Sequence, residues 1–485
     1  MRNRATWLHS IIASGMLLAA STGIMVSAAQ AQTGYTATTG FGTFYKPFQA
    51  DSPWNSRPVN PFLGTYQLRK PLLNPDWIPS ISDGAYSVGV FMARASDGPM
   101  TIYGKPGTAG VGDPDTGQYH DITIPRWPAN VVPATGEDGH AEVVDTVTGV
   151  IHSFYQLTNK NGRWTATMYA WTRLEGRGFG DPAHWSQGAR SAGAPPTAGL
   201  IRLHELNDNK PHYEHALAIS LPAHTLSNGI TRASYVYPAT TADTNAVLNT
   251  GKIPLGTRLM LPASFDTSTL STAALRKIAN TLKLYGAYVV DRNYDTAFSL
   301  YVEKGANFNV MPNGQWNTRV VADLDRIRAG MREVLGADSW LDGNGAPKGG
   351  PGGKGLLSMR GDWLLPGTST PSGAKYDTWL QAVRFPDTAR KITTVNYSNG
   401  ISKVAGSNPA ARTPMRFSAV TAGGAMIRLQ LWKGYSLAYD SGYLANGSEV
   451  KFEWPTGAPA ALSVRLLAES GVNTASHARG VLEQQ

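Results

Sequence analysis

Short runs of alternating apolar and polar residues, broken by clusters of Gly, Pro, Asn and Asp, recur along most of the chain and predict a mainly β protein. The clearest run is His140–Trp171. Its strands His140–Asp145, Val150–Leu157 and Arg163–Trp171, joined by Thr146–Gly149 and Thr158–Gly162, predict an antiparallel meander. Setting Asp145 opposite Val150 and Leu157 opposite Arg163 assigns every side chain to a face, because successive residues of a strand point to opposite sides. One face then carries Ala141, Val143, Val150, Phe154, Trp164, Ala166, Met168 and Ala170, with Asp145 and His152 as polar exceptions. The other carries His140, Glu142, Val144, Ile151, Ser153, Tyr155, Arg163, Thr165, Thr167, Tyr169 and Trp171. The first reads as a core face. The second mixes polar and aromatic groups, as a sugar-binding surface or a solvated outer face would.

Helical periodicity is confined to two stretches. Ser271–Tyr285 places Leu275, Ile278, Ala279 and Leu282 on one stripe and stops at Gly286. Val320–Leu335 places Val321, Leu324, Ile327, Met331 and Leu335 on another and stops at Gly336. The stretch Gly343–Gly355 (GNGAPKGGPGGKG) is too rich in Gly for a packed element and marks a linker over residues 342–355. Beyond it, Ile392–Tyr397, Met415–Val420, Met426–Leu431 and Val450–Trp454 predict short strands. The fold expected is an antiparallel β-sandwich or jelly-roll-like main domain with a few helices, residues 32–341, and a smaller C-terminal β-sandwich, residues 356–485. Trp432, Tyr435, Tyr439 and Tyr443 in the latter are candidates for a binding face or for packing.

The first residues change the setting. Arg2 and Arg4 precede a largely apolar stretch from Trp7 to Val26, and Ala29-Gln30-Ala31 offers a small-x-small cleavage pattern, so residues 1–31 predict a signal peptide. Ser10, Ser14, Ser21 and Thr22 dilute the apolar run and no stop-transfer charges follow, which argues against an uncleaved anchor. The expected location is therefore periplasmic or secreted, with no integral membrane segment after cleavage.

Composition adds two points. Removing residues 1–31 takes away two arginines and no acid, so the formal charge falls from +9 to +7 and the mature chain stays basic. A basic exported protein suits an anionic polysaccharide partner; no Lys/Arg run or nucleic-acid signature is present, so no nucleic-acid partner is expected. The chain has no cysteine, so burial and not disulfides must stabilise it.

Candidate chemistry gathers at two places. In the meander register His140 lies across from Tyr155 and Glu142 across from Ser153, with Arg163, Tyr169 and Trp171 on the same face. His152 falls on the apolar face and reads as a hydrogen-bonded core histidine. The second place is Gly188–Pro222, where Arg202, Glu205 and His215 flank apolar strands. No HExxH or comparable spacing is present, and Asp113 and Asp115 in GDPDTG fit an Asp-Pro turn, so no metal and no cofactor is expected. No G-x-S-x-G elbow, P-loop or dinucleotide fingerprint occurs, and GARSAG around Ser191 has the wrong spacing for a serine nucleophile.

At DSPWN (Asp51–Asn55), DGHAEVVD (Asp138–Asp145), AGLIRLHEL (Ala198–Leu206), EHALAISLP (Glu214–Pro222), IPLG (Ile253–Gly256) and YGAYVVD (Tyr285–Asp291) the chain resembles a group of exported bacterial proteins without an assigned activity. That resemblance covers about residues 45–305 and implies export and one continuous domain. More loosely, the chain is similar in build to bacterial polysaccharide lyases and glycoside hydrolases of sandwich fold.

The expected function is cleavage of a polysaccharide, an acidic one, by β-elimination. His140 and Tyr155 would share the acid and base work, His215 stands by as a further catalytic candidate, and Arg163 or Arg202 would hold the uronate carboxylate beside Tyr169 and Trp171. The alternatives are hydrolysis by the carboxylates Glu142 and Glu205, a non-catalytic carbohydrate-binding or cell-envelope protein, and a periplasmic assembly factor.

Overall fold

Alternation and a Thr-Gly turn build the hairpin at the centre of the main domain. In the computed structural model Ala141–Asp145 and Val150–Tyr155 pair antiparallel with Asp145 opposite Val150. Asp145 closes the turn by accepting the N–H groups of Val147 and Thr148, and Gly149 supplies the positive φ the turn requires. The structure describes residues 40–70, 78–181, 184–230, 232–294, 296–349, 356–397, 409–456 and 462–485. The expected signal peptide lies outside these residues.

The third strand of the meander differs from expectation. It is broken at Thr167 into Arg163–Ala166 and Met168–Arg173, which belong to different sheets. Gln156 turns the chain with φ 54°, and its side-chain oxygen accepts a hydrogen bond from the Thr167 hydroxyl at 2.6 Å. Arg163–Ala166 pairs with Thr158–Lys160 and, in parallel, with Met100–Gly104. Met168–Arg173 pairs with Val150–Tyr155, with Met168 opposite Tyr155. This shift moves Tyr169 and Trp171 to the opposite face from the one expected, because an odd slip exchanges faces.

Both faces of that six-stranded sheet are covered. Val143, Phe154, Tyr169 and Trp171 enter one core with Ile102, Trp127 and Trp164, while Val90, Val144 and Ile151 enter the larger core of the domain. Most of the polar face is thus buried inside the domain, while its His140 and Tyr155 end reaches a cavity.

The larger core is built on an eight-stranded sheet in which Leu217–Pro222 and Ala287–Asn293 run parallel. Helix Ala273–Leu284 leads into the second of these strands and buries the expected Leu275, Ile278, Ala279 and Leu282; the Thr272 hydroxyl caps it by accepting the Leu275 N–H. The second helix, Thr318–Gly330, stops six residues before Gly336. Arg332–Leu341 forms instead a long strand paired with Arg57–Leu63, and Leu335 on it is exposed. Long-range pairing overrides the helical period here.

The chain is mainly β, with these two helices among the described residues. C-terminal to residue 355, a five-stranded and a four-stranded antiparallel sheet enclose a core of Trp363, Phe385, Phe417, Ile427, Trp454 and Leu466. The glycine-rich stretch expected as a linker is in part structured. Pro347–Lys348 folds back to pair with Trp340–Leu341, and Asp342 receives the N–H groups of Asn344 and Ala346. Asp115, expected as a simple turn residue, is buried and accepts hydrogen bonds from Tyr376, Thr378 and Gln381 of the C-terminal sheets. Trp379 stacks on Trp171 with centroids 4.7 Å apart. Of the aromatic candidates there, Tyr439 packs on Phe452, while Tyr435 is fully exposed. No helix among the described residues is long and apolar enough to cross a membrane.

Candidate functional site

The C-terminal halves of the parallel strands Leu217–Pro222 and Ala287–Asn293 bring Ser220 and Asp291-Arg292-Asn293 beside a cleft of about 1440 Å³. The carboxyl ends of parallel strands are where such sheets open to ligands. Asp138 and His140 reach the same cleft from the start of the hairpin, Tyr155 from its end, and Asp243 from a loop. A third contributor is the small-residue segment after Gly188. A Cβ on Gly188 would overlap Pro195, so only glycine lets the chain double back. Gly193, with φ 78°, donates its N–H to the Arg190 carbonyl at 2.8 Å, and Ala192 donates to Val290 O at 3.0 Å. The loop is thereby tied to the strand that carries Asp291, and Arg190 and Ser191 face that carboxylate.

The Ser191 Oγ lies 2.6 Å from Asp291 Oδ1 and 2.8 Å from Asp243 Oδ1. A hydroxyl has one proton and can donate to only one of them. The other contact is a hydrogen bond only when that carboxyl carries a proton and donates to Oγ. Arg190 decides which, because its Nη1 is 3.4 Å from Asp291 Oδ2 while its guanidinium lies flat on the Tyr301 ring at 3.5 Å. Burial, and then the Asp291 charge, push the Asp243 carboxyl up to about 6. Asp243 is therefore the member of the pair suited to carry a proton. Burial and Asp291 also raise Asp138.

Several polar atoms around this cluster lack hydrogen-bond partners among the described residues: Asp243 Oδ2, Arg190 Nη2, Arg292 Nε and Asn293 Oδ1. Buried polar atoms are seldom left so in a finished core. These four atoms are themselves shielded from solvent, although their residues line the cleft.

The sequence candidates divide among four environments. His140 and Tyr155 do meet in the cleft, with ring centroids 5.6 Å apart. His140 is held by the Phe154 carbonyl at 3.2 Å from Nδ1, and burial, then Arg190, lower it to about 3, so its imidazole is neutral. Burial and the nearby Asp138 and Asp291 raise the Tyr155 phenol. Glu142 is wholly buried, accepts from Ser153 and the Thr197 N–H, and is pushed up to about 7 by burial; it faces no cavity described here.

Arg202, Glu205 and His215 surround a different cavity of about 30 Å³, room for a water and not for a sugar. There Arg202 Nε pairs with Glu303 at 2.8 Å, and His215 Nε2 lies 3.2 Å from Glu205. Burial opposes charge on His215, but Glu205 outweighs it and leaves the imidazole above its ordinary value. The cluster is a set of internal ion pairs. His140 and His215 open on different cavities, so the two places of candidate chemistry do not form one site.

Arg163 is exposed and lies over the Tyr103 ring at 3.8 Å, on another sheet. Tyr169 and Trp171 are core residues; the Tyr169 hydroxyl bonds His152 Nδ1 at 2.8 Å, and Trp171 Nε1 donates to Thr378 at 3.0 Å. The substrate-binding roles expected for these three are corrected by that placement, and the split at Thr167 is its cause.

Sequence reasoning missed Asp138, Arg190, Ser191, Asp243 and Asp291. A signal existed for two of them: Asp291 ends an apolar strand that follows a helix, and Arg190 lies within a run of small residues. The walls of the cleft carry five acidic side chains against Arg190 and Arg292, so the lining is acidic although the chain is basic. No group of three or more His, Asp or Glu side chains among the described residues is arranged to hold a metal ion.

No protein-family model matches the chain, and no curated protein matches it. Among solved structures, a chain from the crystal structure of accessory secretory proteins 1, 2 and 3 of Streptococcus pneumoniae is similar at 12% identity, covering 27% of this chain and 96% of that one. Its TM-score is 0.18, too low to carry an argument.

Proposed function

We propose that the protein is an exported enzyme that cleaves a glycan in the Asp243–Asp291 cleft, by hydrolysis. The observation that carries this reading is the hydroxyl of Ser191 bridging the two carboxyl groups. Hydrolysis needs a protonated carboxyl at the leaving oxygen and a carboxylate at the sugar carbon, and Asp243 and Asp291 fit those roles. Asp243 gives its proton to the glycosidic oxygen as the carbon–oxygen bond breaks. Asp291 forms a glycosyl ester, and water then cleaves the ester while its proton returns to Asp243. One hydroxyl spans the gap between the carboxyl groups, which favours the shorter glycosidase spacing of roughly 5 Å and hence retention of configuration. The acidic lining favours a neutral glycan over the anionic one expected from net charge. Export rests on the leader-like residues 1–31.

A second reading, β-elimination, draws support from the neutral His140 beside Tyr155 in the cleft. One experiment separates the two: incubate the protein with neutral and uronate polysaccharides and follow both reducing ends and the absorbance of unsaturated uronate ends. Reducing ends without unsaturation support hydrolysis, and unsaturated ends support elimination. Binding without either product removes both.

A further inference from the structure

The cleft has a neighbour that this function does not use. A second groove of about 620 Å³ runs between Val132–Gly139 and Gln156–Asn159, and Glu137 and Gln156 line both depressions. The two backbones that form it are tied together, with Gln156 N–H donating to Asp138 O at 2.7 Å and Leu157 N–H to Gly139 O at 3.1 Å. Gly136 of the second groove lies directly against Tyr86 of the main cleft. Gly136 has no side chain, and a Cβ there would stand 2.7 Å from the ring of Tyr86. Tyr86 itself lines the main cleft, is 46% exposed, and so presents an aromatic surface at the crossing point. At the far side Lys105 Nζ donates to the Thr158 hydroxyl at 3.0 Å.

The main cleft alone exceeds the roughly 300–1,000 Å³ that suits one small ligand. Aromatic surface at the crossing and amide, hydroxyl and ammonium groups beyond it are what successive sugar rings and hydroxyls require. We infer that the two grooves form one continuous binding track over Tyr86, Glu137 and Gln156, which holds a chain of several sugar units and directs cleavage to internal linkages. This rests on the glycan reading above.

The test uses the full chain carrying Asp243→Asn, so that ligand survives, and calorimetric titration with xylose, mannose and galacturonate oligomers from disaccharide to about decasaccharide. For at least one sugar, affinity is expected to climb by about tenfold or more after the main cleft is filled. Thr135→Trp, which fills the second groove, and Tyr86→Ala, which removes the crossing platform, are each expected to cut that long-chain gain by about tenfold. Affinity that stays flat beyond the shortest binding oligomer, or a gain untouched by Thr135→Trp, overturns the continuous track. Binding across both grooves in Asp243→Asn, with no new ends released from the same oligomers by the unaltered protein, supports the track and removes the cleavage reading. No binding at any length overturns both.

Discussion

Asp243 and Asp291 are joined through the hydroxyl of Ser191, 2.8 Å from one carboxyl oxygen and 2.6 Å from the other. The bridge sets the separation of the pair and gives Asp243 a hydrogen-bond partner. Ser191→Ala is therefore expected to reduce kcat by about tenfold to a hundredfold. It should also shift the alkaline limb of the pH profile, since Asp243 then titrates without its Ser191 partner. An unchanged limb would show that Asp243 is not the group that titrates.

The pH profile of the unaltered protein follows from the same pair. Activity requires Asp243 protonated, and burial with Asp291 sets its carboxyl at about 6. Steady-state rates should fall as pH rises through about 6. A rate that keeps rising to pH 8 would contradict the assignment of Asp243 as the acid, and a level one would favour His140, already neutral above about 3, as a base.

Glu142 makes a prediction about stability. Burial raises its carboxyl from 4.5 to about 7, so the folded state binds the proton more tightly than the unfolded chain does. That contribution is fully present below about 4.5 and is lost as pH rises through about 7. Glu142→Gln stays neutral throughout. Denaturant unfolding should show the unaltered protein losing about 3 kcal/mol relative to Glu142→Gln between pH 4 and pH 8. Parallel curves would refute the neutral buried carboxyl, and loss of cleavage in Glu142→Gln at full stability would restore Glu142 as a catalyst.

The C-terminal sandwich touches the cleft through Arg360, whose guanidinium lies 4.1 Å above the ring of the cleft residue Trp185. Arg360 positions Trp185 and does not itself line the cleft. Arg360→Ala should raise KM by about threefold to tenfold with kcat little changed, as loss of an ordered stacking surface does. Equal losses in kcat and KM in the conservative Arg360→Lys would point to a structural role instead.

What could be read from the sequence was local. The hairpin Ala141–Tyr155 is legible because its alternation and its Thr-Gly turn lie within fifteen residues. Helix Ala273–Leu284 is legible for the same reason. The third strand of the meander is not legible at Thr167, where Gln156 and the distant Met100–Gly104 split one apparent strand between two sheets. His140 and Tyr155 could be paired from register alone. Arg190, Asp243 and Asp291 could not, since parallel pairing of Leu217–Pro222 with Ala287–Asn293 brings them together across about a hundred positions. The charge of the whole chain also misled, because the cleft has its own acidic lining.

The most direct test of the Asp243–Asp291 site is reducing-end release from a panel of neutral and acidic glycans by the unaltered protein, Asp243→Asn and Asp291→Asn. The expected result is release from at least one neutral glycan, falling by about a thousandfold or more in each variant while folding is retained. Release at the unaltered rate by both variants, or no release from any glycan, would contradict it.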